Sequence, residues 1–283
     1  IIGAPLNDSN NGVAKVYKYN IETNDWSQLG GDIVGTSSGK LGHKVSINWN
    51  GKVIAVSGNE HSLDNENDNG IVKLFKYVKN INEWQQIFTN LTGNDEDEFG
   101  TSIQITKEGN KIAIGSIGFN NDSGNVKVYK FGEIDGITYK SPTYAKTILA
   151  TIEKPLDIIK DDNGDFYVTQ QNHTVSKIYS TDDSVRIVAG VKDEANNVDG
   201  ENISSLVNHF NDTTVFVDSV INSRFNTPGL MFKDEDTIFI SDVSNNSIKT
   251  INAATNLYEK TGCLYVSEEG YHTIKKIDLS GAI

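Results

Sequence analysis

Five histidines, two acidic clusters and one cysteine are the residues of this 283-residue chain whose chemistry could reach beyond packing. His43, His61, His173, His209 and His272 are of the type that ligates metals or acts as a general base near neutral pH. The runs Asn94-Asp95-Glu96-Asp97-Glu98 and Lys160-Asp161-Asp162-Asn163-Gly164-Asp165 hold neighbouring carboxylates, the raw material for an acid and base pair. Adjacent carboxylates in an Asn/Asp/Gly run more often mark a solvated turn, and that is the reading adopted for both. No Gly-x-Ser-x-Gly or His-Glu-x-x-His pattern accompanies the histidines. Cys263 stands alone, which excludes an intrachain disulfide and a cysteine-based zinc site but leaves the compartment open. No catalytic residue is assigned from sequence.

Composition narrows the partners. A formal charge of -13 repels a phosphate backbone, and the lysines are scattered singly, so nucleic acid is excluded as an expectation. The apolar stretches, such as Val53 to Val56, are far shorter than the roughly 20 residues a spanning helix needs, so no membrane insertion is expected. The chain opens Ile1-Ile2-Gly3, which reads as a piece of a longer protein.

The elements that must position these residues repeat. Leu41-Gly42 realigns on Phe99-Gly100, Lys52-Val53-Ile54-Ala55-Val56 on Asn110-Lys111-Ile112-Ala113-Ile114, and Val72-Lys73-Leu74-Phe75-Lys76-Tyr77 on Val126-Lys127-Val128-Tyr129-Lys130-Phe131. A third copy opens the chain, with Ala14 to Tyr19 in the third-strand slot and Trp26 matching Trp84 at an offset of 58. Short β-branched and aromatic runs between Asn, Asp and Gly clusters predict strands joined by hairpins, with no helical periodicity. In the third strand both alternating faces are apolar, Val72/Leu74 on one and Phe75/Tyr77 on the other, so each small sheet must be sandwiched. Trp26 and Trp84 are expected to pack on outer strands, and Trp49 has no counterpart. A repeated glycine before the first strand, Gly42 and Gly100, predicts a position intolerant of a Cβ.

These residues resemble the FG-GAP repeat family over about residues 1–150. Phe99-Gly100 and Gly3-Ala4-Pro5 carry the signature, and the other copies are degenerate. The resemblance implies four-stranded propeller blades, as in integrin α-chain heads, and raises a calcium loop at Asp64, Glu66 and Asp68. Aligned on Gly70, the alternating ligand slots fall instead on Asn65, Asn67 and Asn69, and the later acidic slot is Lys73. Lys15 and Lys127 stand in the same place after Gly12 and Gly124, so a plain hairpin turn is the preferred reading and no metal or cofactor is assigned.

From Lys154 a different unit begins. Pro155-Leu156-Asp157-Ile158-Ile159, Phe166-Tyr167-Val168 and Asn172-His173-Thr174-Val175-Ser176-Lys177-Ile178 return as a second copy from Phe225 to Ile251 and as a shortened copy from Gly262 to Ile277. His173 and His272 occupy one turn slot, where the middle copy has Asn246, which favours a structural role. The lines resemble NHL repeats, implying a further propeller module that is usually an interaction platform and in some relatives a lyase. The first-strand positions facing inward read as aliphatic, Val45/Ile47, Ile103/Ile105 and Ile158, with Ser46, Gln104 and Asp157 between them.

The expectation is an all-β propeller of about five to six blades' worth of short antiparallel sheets, FG-GAP-like over residues 1–150 and NHL-like over 151–283, with an incomplete or fragmentary ring. The function expected is a non-enzymatic binding or structural module of a larger surface or extracellular protein, with a protein or glycan ligand. The alternatives are a lyase or hydrolase with a metal in the central channel, and an architectural repeat self-assembling through open strand edges.

Overall fold

A computed structural model describes residues 1–36, 39–60, 68–131, 143–148, 152–179, 184–195, 201–202, 220–221, 225–234, 237–245, 247–252, 263–268 and 273–278. The regular structure of the described chain is almost entirely strand, arranged as successive small antiparallel sheets. The only helical pieces among the described residues are single turns, such as Phe119–Asp122 in the hairpin loop before Gly124.

The first sheet holds Ile2–Ala4, Val13–Lys15 and Ile33–Val34, flanked by the hairpin Tyr17–Asn20 with Asp25–Gln28. The second is built on Val45–Ile47, Val53–Gly58 and Ile71–Val78, with Glu83–Gln86 and Leu91–Thr92 both paired to the last of these. The third runs Phe99–Ile105, Lys111–Ser116, Asn125–Lys130 and Thr143–Ile148. The fourth begins Pro155–Lys160, Phe166–Gln170, Thr174–Ile178 and Val185–Gly190, and continues through short Val220–Ile221 and Glu201–Asn202. The fifth is Pro228–Asp234, Thr237–Asp242 and Ser247–Asn252, and a last pair joins Cys263–Glu268 to Thr273–Asp278.

Strand alternation explains why these sheets stack. In Val53–Gly58 every residue is buried, because Ile54 and Val56 face Ala14, Val16 and Ile33 of the first sheet while Val53 and Ala55 face Phe99, Ile103 and Ile112 of the third. Ala113 and Val126 meet Ile158, Phe166 and Val168 in the next core, and Tyr167 and Val175 meet Met231, Ile238 and Ile240 in the one after. The core between the third and fourth sheets therefore joins the two repeat types across residue 150. First strands of the second to fifth sheets run beside one another. Of the aliphatic positions read as facing inward, Ile103, Ile105 and Ile158 are buried between sheets, whereas Ile47 is exposed.

Each first strand of the third, fourth and fifth sheets enters through an irregularity. Register shifts between Phe99 and Ser102, between Pro155 and Asp157, and between Pro228 and Met231 insert extra residues that bend the strand and re-aim its later side chains. Gly42 and Gly100 both sit at φ +95°, where a Cβ on Gly42 falls 2.6 Å from the Val13 carbonyl oxygen and one on Gly100 falls 2.8 Å from Ser57 Cβ. The repeated glycine is thus required both by backbone conformation and by close approach of the neighbouring sheet.

Two expectations are corrected. Asp97, Asp161 and Asp165 are buried rather than solvated. Asp97 accepts hydrogen bonds from the Asn94 backbone and side-chain nitrogens, at 2.8 and 3.2 Å, and lies 3.9 Å from Lys127 Nζ. Asp161 and Asp165 flank Lys177 Nζ at 3.5 and 3.2 Å, so the carboxylates fix turns instead of facing water. Trp26, expected to pack like Trp84, is exposed, whereas Trp84 is buried.

Candidate functional site

The strand entries bring one polar group together. The irregularity before Asp157 turns its carboxylate toward neighbouring first strands, where Oδ2 accepts the Met231 backbone N–H of the fifth sheet at 2.8 Å. Its Oδ1 lies 3.7 Å from Nζ of Lys44, at the entry to the first strand of the second sheet. This ion pair links the second and fourth sheets past the third. Both partners are largely buried, with side-chain exposures of 22% for Lys44 and 13% for Asp157. Burial pushes the Asp157 carboxyl above its ordinary range, and the Lys44 charge and the N–H groups of Met231 and Ile158 pull it only partly back.

His43 adjoins Lys44. Burial pushes its imidazole below the ordinary value, the Lys44 charge lowers it further, and Glu60 and the Thr101 backbone oppose the shift. Glu60 is itself paired with Lys40 at 2.5 Å. The group therefore offers a carboxyl with a raised proton affinity, an ammonium and an imidazole with a lowered one, and the Ser57 hydroxyl lies beside it, accepting the Lys44 backbone N–H at 3.2 Å.

Around this group three hydroxyl side chains are bonded to adjacent sheets, whereas the Ser102 and Ser116 hydroxyls are buried without a hydrogen-bond partner. Ser46 Oγ accepts the Ile105 N–H at 3.0 Å, Ser57 Oγ donates to the Gly100 carbonyl at 2.7 Å, and Thr169 Oγ1 donates to the Gly229 carbonyl at 2.7 Å. Each bond crosses from one sheet to the next, so the pattern is one of inter-sheet stitching.

The remaining sequence candidates lie apart from this group or outside the described residues. His61, His209 and His272, with Asp64 and Glu66 of the calcium loop, lie outside them; Asp68 is described, just before Gly70 at φ +77°. In the first and third units the cation slot after that glycine has an acidic neighbour, Lys15 with Asp32 at 3.1 Å and Lys127 with Asp97. Among the described residues no three His, Cys, Asp or Glu side chains gather as a metal-binding group. His173 Nδ1 accepts the Thr227 N–H of the following sheet at 3.2 Å, which gives that turn histidine a joining role. Sequence reasoning singled out Asp157 but not Lys44, whose only signal was a charged side chain at the entry to an apolar strand.

No protein-family model matches the chain, so neither repeat family is shown, and no curated protein matches it. Among solved structures it is similar to a protein of unknown function from Bacteroides thetaiotaomicron, at 15% identity over 86% of this chain, with a TM-score of 0.36. The chain spans 64% of the length of that protein. It is also similar to the periplasmic gluconolactonase PpgL of Pseudomonas aeruginosa, at 9% identity over 98% of this chain and 81% of the other, with a TM-score of 0.47. At that similarity neither structure bears on what this chain does.

Proposed function

We propose that the stacked sheets form a β-propeller-type module that binds or scaffolds rather than catalyses, within a larger surface or extracellular protein and with a protein or glycan ligand. The observation that carries this reading is the use of inner-strand polar side chains: Ser46, Ser57, Thr169 and Asp157 all bond to backbone groups of the adjoining sheet. A catalytic channel needs such side chains directed at a substrate.

A second reading, hydrolysis at the same place, is favoured by one feature. Asp157 is a buried carboxyl with a raised affinity for its proton, 3.7 Å from an ammonium, and perturbed carboxyls of this kind serve as general acids. The test is a turnover screen on esters, glycosides and sugar lactones, with and without divalent metal, for wild type and Asp157→Asn. No turnover above the variant is expected. Turnover lost in a variant that keeps its circular dichroism spectrum would overturn the scaffold reading in favour of hydrolysis.

A further inference from the structure

The lysine that follows the turn glycine in each of the first three units is treated differently by the second. In the first sheet Ala14 lies opposite Ile33, so Lys15 and Asp32 follow as the next cross-strand pair, and they meet at 3.1 Å through Asp32 Oδ2 while Oδ1 accepts the Gln28 side-chain amide at 2.7 Å. In the third sheet Lys127, opposite Thr147, lies 3.9 Å from Asp97 instead. The second sheet repeats the register of the first: Val72 lies opposite Leu91, so Lys73 and Asn90 are the next pair. Asn90 Oδ1 accepts the Gln86 amide at 3.0 Å, just as Asp32 accepts Gln28, but the oxygen that would take the lysine is replaced by an amide nitrogen.

The surroundings of Lys73 are apolar. It lies opposite Val56, and Ile71 and Phe75 stand on the same face two residues to either side; all three are buried. Val56 and Phe75 belong to the core shared with Ala14, Val16 and Ile33 of the first sheet. Lys73 itself is half-buried, which leaves its side chain a way out to solvent. Burial pushes its ammonium below the ordinary lysine range, and among the described residues no carboxylate pairs with it.

We propose that Lys73 is an acylation site: its side-chain amine, set on an apolar face without the carboxylate that its two counterparts have, attacks the carbonyl carbon of an activated acyl donor, an acyl phosphate or a thioester. The nitrogen lone pair forms the new C–N bond as the bond from carbonyl carbon to leaving group breaks. The phosphate or thiolate departs with that electron pair, and the proton lost from nitrogen passes to it. The product is a neutral amide, which suits an apolar face better than an ammonium because no charge is then withheld from water. Lys15 and Lys127 lack this incentive, since each has a carboxylate that favours the charged form.

The experiment is limited acetylation of the folded full chain with acetyl phosphate near neutral pH, the extent at each lysine being read by peptide mass spectrometry. Lys73 is expected to label several-fold faster than Lys15 and Lys127, and faster than the exposed Lys18 and Lys52, with the lead vanishing in denaturing urea. Asn90→Asp, which restores the carboxylate present at Asp32, is expected to slow Lys73 to the rate of Lys15, with thermal melting to confirm that the variant is folded. A Lys73 rate at or below that of Lys18 overturns the proposal, whether the amine is charged or out of reach. An unchanged Lys73 rate in folded Asn90→Asp overturns it too, because the missing carboxylate is then not what frees the amine. A lead that persists in urea belongs to the local sequence and overturns it equally.

Discussion

Replacing Trp84 and Trp26 separately by alanine isolates what sheet docking contributes, because the two residues share a fold position and, among the described residues, only Trp84 is covered by a neighbouring sheet. Both rings lean on a tyrosine of their own hairpin at nearly the same distance and tilt, so loss of that contact is common to the two variants. Trp84 alone is buried and bonded to the Leu29 carbonyl. Truncating a buried aromatic side chain costs about 3–5 kcal/mol, with the hydrogen bond accounting for about 1 kcal/mol of it. Exposed positions usually cost about 0.5 kcal/mol or less, and the shared tyrosine contact adds about 0.5–1.5 kcal/mol to both. The difference between variants should be roughly 3 kcal/mol, which at about 2–4 °C per kcal/mol for a domain near this size separates their melting temperatures by about 6–12 °C. Differential scanning calorimetry is the assay. Equal melting temperatures would refute the claim that Trp84 locks the second sheet to the first. Gly30→Ala supplies a cross-check: its added Cβ should cost much less in the Trp84→Ala background, where the ring is gone.

The strand entries can be tested at three further residues. Gly100→Ala, which combines φ +95° with a Cβ 2.8 Å from Ser57 Cβ, should lose about 2–4 kcal/mol in urea unfolding, against about 1–2 kcal/mol for Gly51→Ala at φ +69° in open space; similar losses would mean the close approach is relieved. Asp157→Ala, which orphans the Met231 N–H, should cost about 1–3 kcal/mol, and Asp157→Asn less because an amide oxygen can still accept that bond. Since burial raises the folded-state affinity of Asp157 for its proton, its contribution is fully present below the ordinary carboxylate pKa and is lost as pH rises through the elevated value, so wild type should gain on Asp157→Asn as pH falls; a pH-independent difference would count against a buried carboxyl. His43 has the opposite sign: its depressed folded-state pKa gives stability present above about pH 6.5 and lost on acidification, a loss that His43→Gln should flatten in melting curves taken across that range.

The sequence-readable part of this molecule was the local part. Alternation in Val72-Lys73-Leu74-Phe75 places Val72 and Leu74 in the core with the third sheet and Phe75 in the core with the first, as period-two spacing requires. The glycine at 42 and 100 could be recognised because a backbone constraint recurs wherever the unit recurs. Burial of an outer-face residue is different in kind. Trp26 and Trp84 have the same type, the same offset from their strands and an equivalent tyrosine partner, and they differ in that, among the described residues, an adjoining sheet covers only Trp84. The acidic turns failed for a related reason, since Asp97 and Asp161 are met by lysines from strands beyond their own loops.

The inner strands take this further. Lys44 and Asp157 come from different repeat types, and no spacing rule connects them. They meet because successive sheets stack with first strands side by side, so that strand entries in the second and fourth sheets approach each other past the third. Once the stack forms, an aspartate entering the core must find donors, and the Met231 N–H exposed by the irregularity in the fifth sheet supplies one. Asp157 thereby ties three sheets together through one buried carboxyl. That arrangement suits a rigid platform whose loops carry recognition. It suits acid catalysis only if that carboxyl can be reached by substrate without breaking the bond to Met231, which is why the Asp157→Asn comparison separates the two readings.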